Sequence, residues 1–469
     1  MRPHPTDETT QITSLDFRPN GAESEEVLRS VLNFVAQFDE EPHTDFKIPY
    51  PSVAARVTDV LSPPPANGRS LHDLLDTIKE AGQSSANTSG PRCFQHIPGS
   101  TMLSAAAGEF LSRILNRHSA FADQAPLLTA MEQGVIRWLC TEFGLPATAG
   151  GSITSGGSIS TLSLLAAARI ARCGDEWQDA KIYLTEFTHG SAARALRILG
   201  FRPGQVTRVA SDPHGRMLPD ALREAITTDL REGANPFLVV ATTGTTDNGA
   251  IDPIAAIADV AEQHNLWLHV DAAYGGFFQL TERGRAAFVG IERADSIVLD
   301  PHKGLFMPFG TGVLLVRDEN ILRDAFRTQG AYLEDHIEPY PLGNRCELGP
   351  ELSTEARGLR MWLPLQLHGL AAFRATLQEK LDLAQLAYDA LVANPALEVH
   401  KPELSIVVFA MTTDAKTEAM LHSINSSGAG TVSSTKINGK TYIRLCVLNS
   451  GTHRSHVDGI LKVILNATN

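Results

Sequence analysis

The chain has 469 residues, 43% of them hydrophobic and 20% charged, enough to bury a large core and too many for one small domain. Its formal net charge of -13 excludes a nucleic-acid or anionic-membrane surface, which needs clustered Lys and Arg, and no segment is apolar over the length of a bilayer. Five scattered cysteines, Cys93, Cys140, Cys173, Cys346 and Cys446, include no Cys-x-x-Cys pair, so they give neither a zinc pattern nor a disulfide framework and read as buried small hydrophobes.

The opening stretch from Met1 to Ser14 is polar and lacks the apolar run of a signal peptide, which points to a reducing cytoplasm. Beyond this tail, Val27, Leu28, Val31, Leu32 and Val35 predict a helix over Glu25–Phe38, and a second short helix is expected around Leu71–Glu80. Pro63-Pro64-Pro65 breaks the chain between them, and Ser84–Pro91 reads as a loop. This opening unit cannot build a core alone and is expected to dock on a partner surface such as another subunit.

From Ala125 the pattern alternates between helix and strand. Helical spacing over Leu127–Phe143 leads into the Gly/Ser loop Gly150–Ser158 and a helix over Ile159–Ala171. Strands are predicted at Lys181–Thr185, Val206–Ala210, Phe237–Thr242, Trp267–Asp271, Ser296–Leu299 and Gly312–Val316. Short unbroken apolar strands separated by helices imply an α/β fold, a mainly parallel sheet covered on both faces, with its ligand site at the strand carboxyl ends.

After an amphipathic stretch over Leu365–Leu391 comes a compact α+β tail. Ser405–Ala410 reads as a strand, Thr417–Ser426 as a helix, and Gly430–Lys436 with Lys440–Leu448 as a hairpin around Asn438-Gly439. Three units are expected: an N-terminal helical segment over residues 1–90, a large cofactor domain over 91–360 and a small C-terminal domain over 361–469.

The chemistry concentrates at two strand ends. Asp271 closes one apolar strand, and Lys303, in Asp300-Pro301-His302-Lys303, follows another. Pyridoxal phosphate needs such a pair: an amine to form a Schiff base with its aldehyde, and a carboxylate to keep its ring nitrogen protonated as an electron sink. Ala273, two residues past the aspartate, leaves room for a flat ring. Upstream, Ser155-Gly156-Gly157-Ser158 opens a helix, a geometry suited to phosphate. A dinucleotide fingerprint and a nucleotide P-loop are both excluded, because this loop lacks Gly-x-Gly-x-x-Gly after a strand and lacks Gly-Lys-Ser/Thr. His189 lies between a strand and a helix, where an imidazole can lie flat against a cofactor ring.

From about Pro91 onward the chain resembles the group II pyridoxal-phosphate-dependent decarboxylases, the family that includes aromatic-L-amino-acid decarboxylase, within aspartate aminotransferase fold type I. The resemblance is carried by Ser158-x-x-Thr161-Leu162, Val240-Ala241-Thr242-x-Gly244-Thr245-Thr246, Trp267-Leu268-His269-Val270-Asp271-Ala272-Ala273-Tyr274 and Ala294-Asp295-Ser296. It continues in Pro301-His302-Lys303, Ala331-Tyr332-Leu333 and Leu359-Arg360-Met361-Trp362. It implies a mainly parallel seven-stranded sheet with a small C-terminal domain, and a homodimer with shared active sites. It also implies α-decarboxylation of an L-amino acid to the amine and carbon dioxide.

By the same resemblance Lys303 is the Schiff-base lysine, Asp271 the ring-nitrogen partner, His189 the stacking group and Ala273 the small residue under the ring. Gly157, Ser158, Asp300 and His302 fall near the phosphate or the lysine, and Thr246 lies close to the cofactor. Tyr332 matches a mobile-loop tyrosine that returns a proton after carbon dioxide leaves. Phe94, His96 and Ile97 mark the substrate-facing region, less aromatic than a pocket built for dopa or tryptophan, so an aliphatic or polar substrate stays open beside an aromatic one. Two positions depart from the animal aromatic enzymes: Asp300 replaces an asparagine and Gly304 a bulky tryptophan. Other fold-type-I reactions (transamination, carbon-sulfur lysis, decarboxylation-coupled oxidative deamination to an aldehyde) and a non-catalytic cofactor-binding protein are the competing readings.

Overall fold

The computed structural model describes residues 22–38, 50–97, 99–328 and 341–468. The described residues divide into two compact units, one formed by 22–38 and 50–85, the other by 86–97, 99–328 and 341–468. In the first unit three helices are described, Ala22–Gln37, Tyr50–Val60 and Leu71–Gln83. The middle one was not expected from the sequence; Pro51 sits in its first turn, where a proline is tolerated because that amide has no helical partner. Ser70 caps the third helix by accepting the Asp73 N–H, and Arg56 pairs with Glu80 at 2.6 Å.

The second unit contains all twelve strands of the described residues. They are β1 (Cys93–Phe94), β2 (Gly150–Thr154), β3 (Ala180–Leu184), β4 (Val206–Arg208), β5 (Asn235–Thr242), β6 (Trp267–Asp271), β7 (Ser296–Leu299), β8 (Gly312–Val316), β9 (Glu398–His400), β10 (Ile406–Ala410), β11 (Thr431–Ile437) and β12 (Lys440–Cys446). The large sheet has seven strands in the order β2-β8-β7-β6-β5-β3-β4, as the resemblance implied. β4, β3, β5, β6 and β7 run parallel, while β8 is antiparallel to both β7 and β2.

Period-two alternation in the central strands feeds two separate core layers. Val239, Ala241, Leu268, Val270, Ile297, Leu299, Val313 and Leu315 face one layer; Leu238, Val240, Trp267, Val298, Leu314 and Val316 face the other. Neither face meets water, so these strands are apolar on both sides and read as unbroken hydrophobic runs.

Three strands, β1, β2 and β9, were not expected, and β2 borders the site. Gly150–Thr154, taken as the front of a Gly/Ser loop, is β2, and the helix begins at Gly157 rather than Ile159. Its composition has poor strand propensity, but the position demands glycine: a Cβ at Gly151 would lie 1.9 Å from the Leu314 carbonyl oxygen. Tertiary pairing with β8 overrides local preference here.

The second sheet runs β1-β11-β12-β10-β9. Its hairpin turns at Asn438-Gly439 with φ of 51° and 81°, the left-handed pair that a two-residue hairpin loop requires. β1 joins this sheet beside β11, although it precedes the large sheet in the sequence. Helices Asp414–Ser426 and Arg454–Asn466 cover it, together with the second half of a long helix, Leu359–Val392. That helix is broken at Gly369, where φ is 71° and ψ 157°. Near its middle Lys380, wholly buried, ion-pairs with Glu379 at 2.8 Å and donates to the carbonyls of Ser450 and Thr452. The turn it holds reaches back to the start of the unit, since the Ser450 N–H donates to Ser100 Oγ at 3.0 Å.

The fit of β2 against β8 yields a direct test. Gly151→Ala must push the two backbones apart, and overpacking of this kind costs about 1–3 kcal/mol. Urea denaturation should show a destabilisation of that size; an unchanged midpoint would contradict the close approach.

Candidate active site

The site grows from the register of two neighbouring strands. Asp271, last residue of β6, pairs with Val298 of β7, and the Ala272 N–H donates to the Val298 carbonyl at 2.9 Å. Two residues further along β7 the chain reaches Asp300 and turns through Pro301–Gly304, a single helical turn with proline at its start. The Asp300 N–H donates to the Ala273 carbonyl, at 3.2 Å, so the two strand ends leave the sheet side by side.

A pocket of about 350 Å³ opens there, within the usual size range of small-molecule sites. Asp271, Ala273, Asp300, His302 and Lys303 line one part of it, Gly157 and Ser158 another, and His189 a third. Eight residues singled out in the sequence therefore face one cavity. Thr246 lies in the turn after β5 and does not line it. Phe94 is fully buried in the core beneath the second sheet, His96 is exposed with φ at 55°, and Ile97 packs against the large core; none of the three lines the pocket. Tyr332 lies outside the described residues.

Each lining group has its own restraint. The Asp271 carboxylate accepts the Ala273 N–H at 3.1 Å. His189 stands before the helix Gly190–Ile198; its Nδ1 accepts the Ser191 N–H at 3.3 Å and meets Ser191 Oγ at 2.9 Å, which leaves the ring proton on Nε2. His302 does the reverse: Nδ1 donates to the Thr311 carbonyl at 2.7 Å, turning Nε2 toward Asp300 at 3.7 Å. The Lys303 amine is 3.0 Å from the Asp300 carboxylate. Arg360, buried, holds the loop behind these residues, donating to the Gly310 carbonyl at 3.1 Å and pairing with Glu355 at 3.0 Å. Gly99 seats against the same turn, where a Cβ would lie 1.9 Å from the His302 carbonyl oxygen.

Two groups were passed over in the sequence. His269 precedes Asp271 by two residues on the same face of β6; its Nδ1 lies 3.1 Å from Ser296 Oγ and its Nε2 has no partner. Burial pushes its pKa down to about 4, against the opposing pull of the Asp271 charge, so it is neutral. The period-two spacing from Asp271 was the available signal. Arg444 of β12 is buried; Nη1 donates to Ser433 at 2.9 Å, while Nε and Nη2 have no partner. Its charge helps hold down the pKa of His96, after burial, and acts on the Cys446 thiol, as does the charge of Lys303. Burial nonetheless drives that thiol up to about 12. No local motif announces this arginine, because its missing partners are visible only in three dimensions.

At Gly304 the structure explains the absent tryptophan. A Cβ would lie 2.7 Å from the Cβ of Phe277, so a fully buried phenylalanine already fills that space.

The residues fit pyridoxal phosphate: an amine and a carboxylate share one cavity, an alanine keeps the space between strand ends open, and a Gly/Ser turn opens a helix of seventeen residues opposite them. The comparisons agree. The pyridoxal-dependent decarboxylase conserved domain matches residues 62–412. An aromatic-L-amino-acid decarboxylase of Bacillus atrophaeus is 34% identical over 83% of both chains. An L-2,4-diaminobutyrate decarboxylase of Rhizobium meliloti is 33% identical over 87% of this chain and 84% of its own. Among solved structures, Oryza sativa TDC with PLP and tryptamine superposes with a TM-score of 0.89 at 24% identity, over 97% of this chain and 99% of that one.

His269 makes a pH prediction. Above pH 6.5 it is neutral whether the chain is folded or unfolded and costs nothing. As pH falls from 6.5 toward 4 the unfolded chain takes up a proton that the folded one refuses, so stability is lost, by on the order of 3 kcal/mol from this group. In urea denaturation across that window, His269→Gln should lose less stability than the unaltered protein by about this amount. Identical pH dependence of the two proteins would refute the buried neutral state.

Proposed function

The chain belongs to the pyridoxal-dependent decarboxylase family, and from that premise we propose how its pocket removes the carboxyl group of an L-amino acid. The protein is a pyridoxal-phosphate-dependent carboxy-lyase. The observation that carries the residue assignment is the placement of Lys303 and Asp271 in one cavity at adjoining strand ends. Bound pyridoxal phosphate supplies the electron sink that accepts the bonding pair when carbon dioxide leaves the α-carbon.

The protein's part is to bind, orient and move protons. Lys303 would hold the cofactor aldehyde through its amine. Asp271, steadied by the Ala273 amide, keeps a proton on the ring nitrogen; the neutral His269 behind it adds no charge to weaken that hold. His189 and Ala273 would hold the ring between them, and Ser158 and His302 would serve the phosphate end. Arg444 is not among the residues lining the cavity; its two nitrogens buried without a partner are what support assigning it to the substrate carboxylate. Tyr332, assigned by resemblance alone, returns a proton to the α-carbon. Phe94, His96, Ile97 and Thr246 keep their assignments to the substrate and cofactor surroundings, supported by family resemblance rather than by lining the cavity. The substrate is an aromatic or aliphatic L-amino acid, the two classes that the relatives' names span.

The working unit is a homodimer with shared sites. In support, the helix Leu103–Leu115 exposes Phe110, Leu111, Ile114 and Leu115, each between 44% and 48%, a larger run of apolar surface than a solvated helix face needs. Five free cysteines accord with the cytoplasm, and among the described residues no helix is long and apolar enough to cross a membrane.

Borohydride should fix the cofactor to Lys303, and peptide mapping that finds another lysine would end the assignment. Asp271→Ala, loaded with cofactor, should lose turnover by several factors of ten, each worth about 1.4 kcal/mol of barrier, when carbon dioxide release is assayed across aromatic and aliphatic amino acids. Near-normal turnover would remove the role given to this carboxylate.

Light scattering should give twice the chain mass of 50.6 kDa. The double variant Leu111→Asp, Ile114→Asp should run as a monomer with little activity; an active monomer of either protein would refute the shared site.

A further inference from the structure

Asp300 is 4% exposed, and its polar partners are all parts of the cofactor machinery. Oδ1 accepts the Gly157 N–H at 2.7 Å; Oδ2 stands 3.0 Å from the Lys303 amine and 3.7 Å from His302 Nε2. The absent side chain of Gly157 serves the same carboxylate, since a Cβ there would lie 2.9 and 3.0 Å from its two oxygens. Gly157 is the first residue of the helix Gly157–Cys173. Its amide is thus one of the donors that a helix start offers to an incoming phosphate, and here it is directed at an oxyanion belonging to the chain itself.

A carboxylate and a phosphate compete for the same things: amide donors at a helix start and nearby cations. Buried together they also repel, and solvent screens them poorly. We propose that Asp300 is a resident anion at the phosphate end of the cofactor pocket, a specificity-determining residue that weakens retention of the phosphorylated cofactor and makes occupancy follow the free cofactor concentration. Covalent capture sharpens the effect. The Lys303 ammonium releases one proton to solvent, and its other two leave with the aldehyde oxygen as water when the carbon-nitrogen bond forms, so Asp300 keeps the Gly157 amide but loses its cation. The inference rests on the assignment of this pocket to pyridoxal phosphate.

The test compares affinity for pyridoxal phosphate with affinity for unphosphorylated pyridoxal, by equilibrium dialysis and the absorbance of the bound cofactor, with no turnover needed. Asp300→Asn keeps an oxygen for the Gly157 amide and removes the charge. Affinity for pyridoxal phosphate should rise at least about tenfold while that for pyridoxal stays within about twofold. Asp300→Ser, which also removes the charge, should shift in the same direction and keeps the comparison open if the Asn variant misfolds. Unchanged affinity for the phosphorylated cofactor would overturn the proposal. An equal gain for both cofactors would overturn it too, by placing the effect on Lys303 rather than on the phosphate. Failure of the unaltered protein to bind either cofactor would instead overturn the pocket assignment, and the proposal with it.

Discussion

The register between β6 and β7 is the constraint on which everything functional in this molecule depends. Asp271 sits opposite Val298. A slip of one residue would carry Asp271 to the other face of the sheet and bury a carboxylate among Ile297, Leu299 and their neighbours. The register holds because both core layers specify it at once: Val270 and Ile297 belong to one side, Trp267 and Val298 to the other. β5 reinforces it from the far side, since the Thr243 N–H donates to the Asp271 carbonyl at 3.0 Å.

Around that frame, buried polar groups hold the irregular segments which strand pairing cannot reach. Tyr274, three residues past Asp271, places its hydroxyl 2.8 Å from Ser405 Oγ and accepts the Ser405 N–H at 3.0 Å, joining the loop after β6 to the approach of β10. Arg360 does the same for Gly310, and Lys380 for the turn over Ser450 and Thr452. Buried ions of this kind add little net stability, because desolvation consumes most of the attraction. What they secure is position: a carbonyl left without its lysine or arginine would be buried and unpaired, so competing loop conformations are penalised.

Much of this architecture is legible in the sequence, for a physical reason. Strands covered on both faces must be apolar throughout, so β5, β6, β7 and β8 announce themselves as short hydrophobic runs, and Asn438-Gly439 encodes its own turn. The chemistry at their ends is legible as well, because Lys303 and Asp271 each follow such a run. β2 is hidden because Gly151 is required by close backbone approach, a property of the partner strand and not of the segment. The helix Leu103–Leu115 escaped because it shows water a broad apolar face instead of a polar one. His269 and Arg444 escaped because what distinguishes them, a nitrogen buried without a partner, has no one-dimensional signature. The placement of Phe94 is of the same kind: its two-residue strand pairs with β11, more than three hundred positions away, and the pairing draws the ring into a core.

The break at Gly369 has an unusual corollary for how the long helix tolerates change. A continuous helix transmits phase: one inserted residue rotates all that follows by about 100°, turning a packed face outward. Here the backbone leaves helical angles at a single glycine, and no atom lies within 4 Å of where its Cβ would be. The segment before the break and the segment carrying Lys380 are therefore wound independently, each set by its own neighbours. Length variation is absorbed at that joint, while the same variation ten residues later would rotate Lys380 away from the carbonyls it serves.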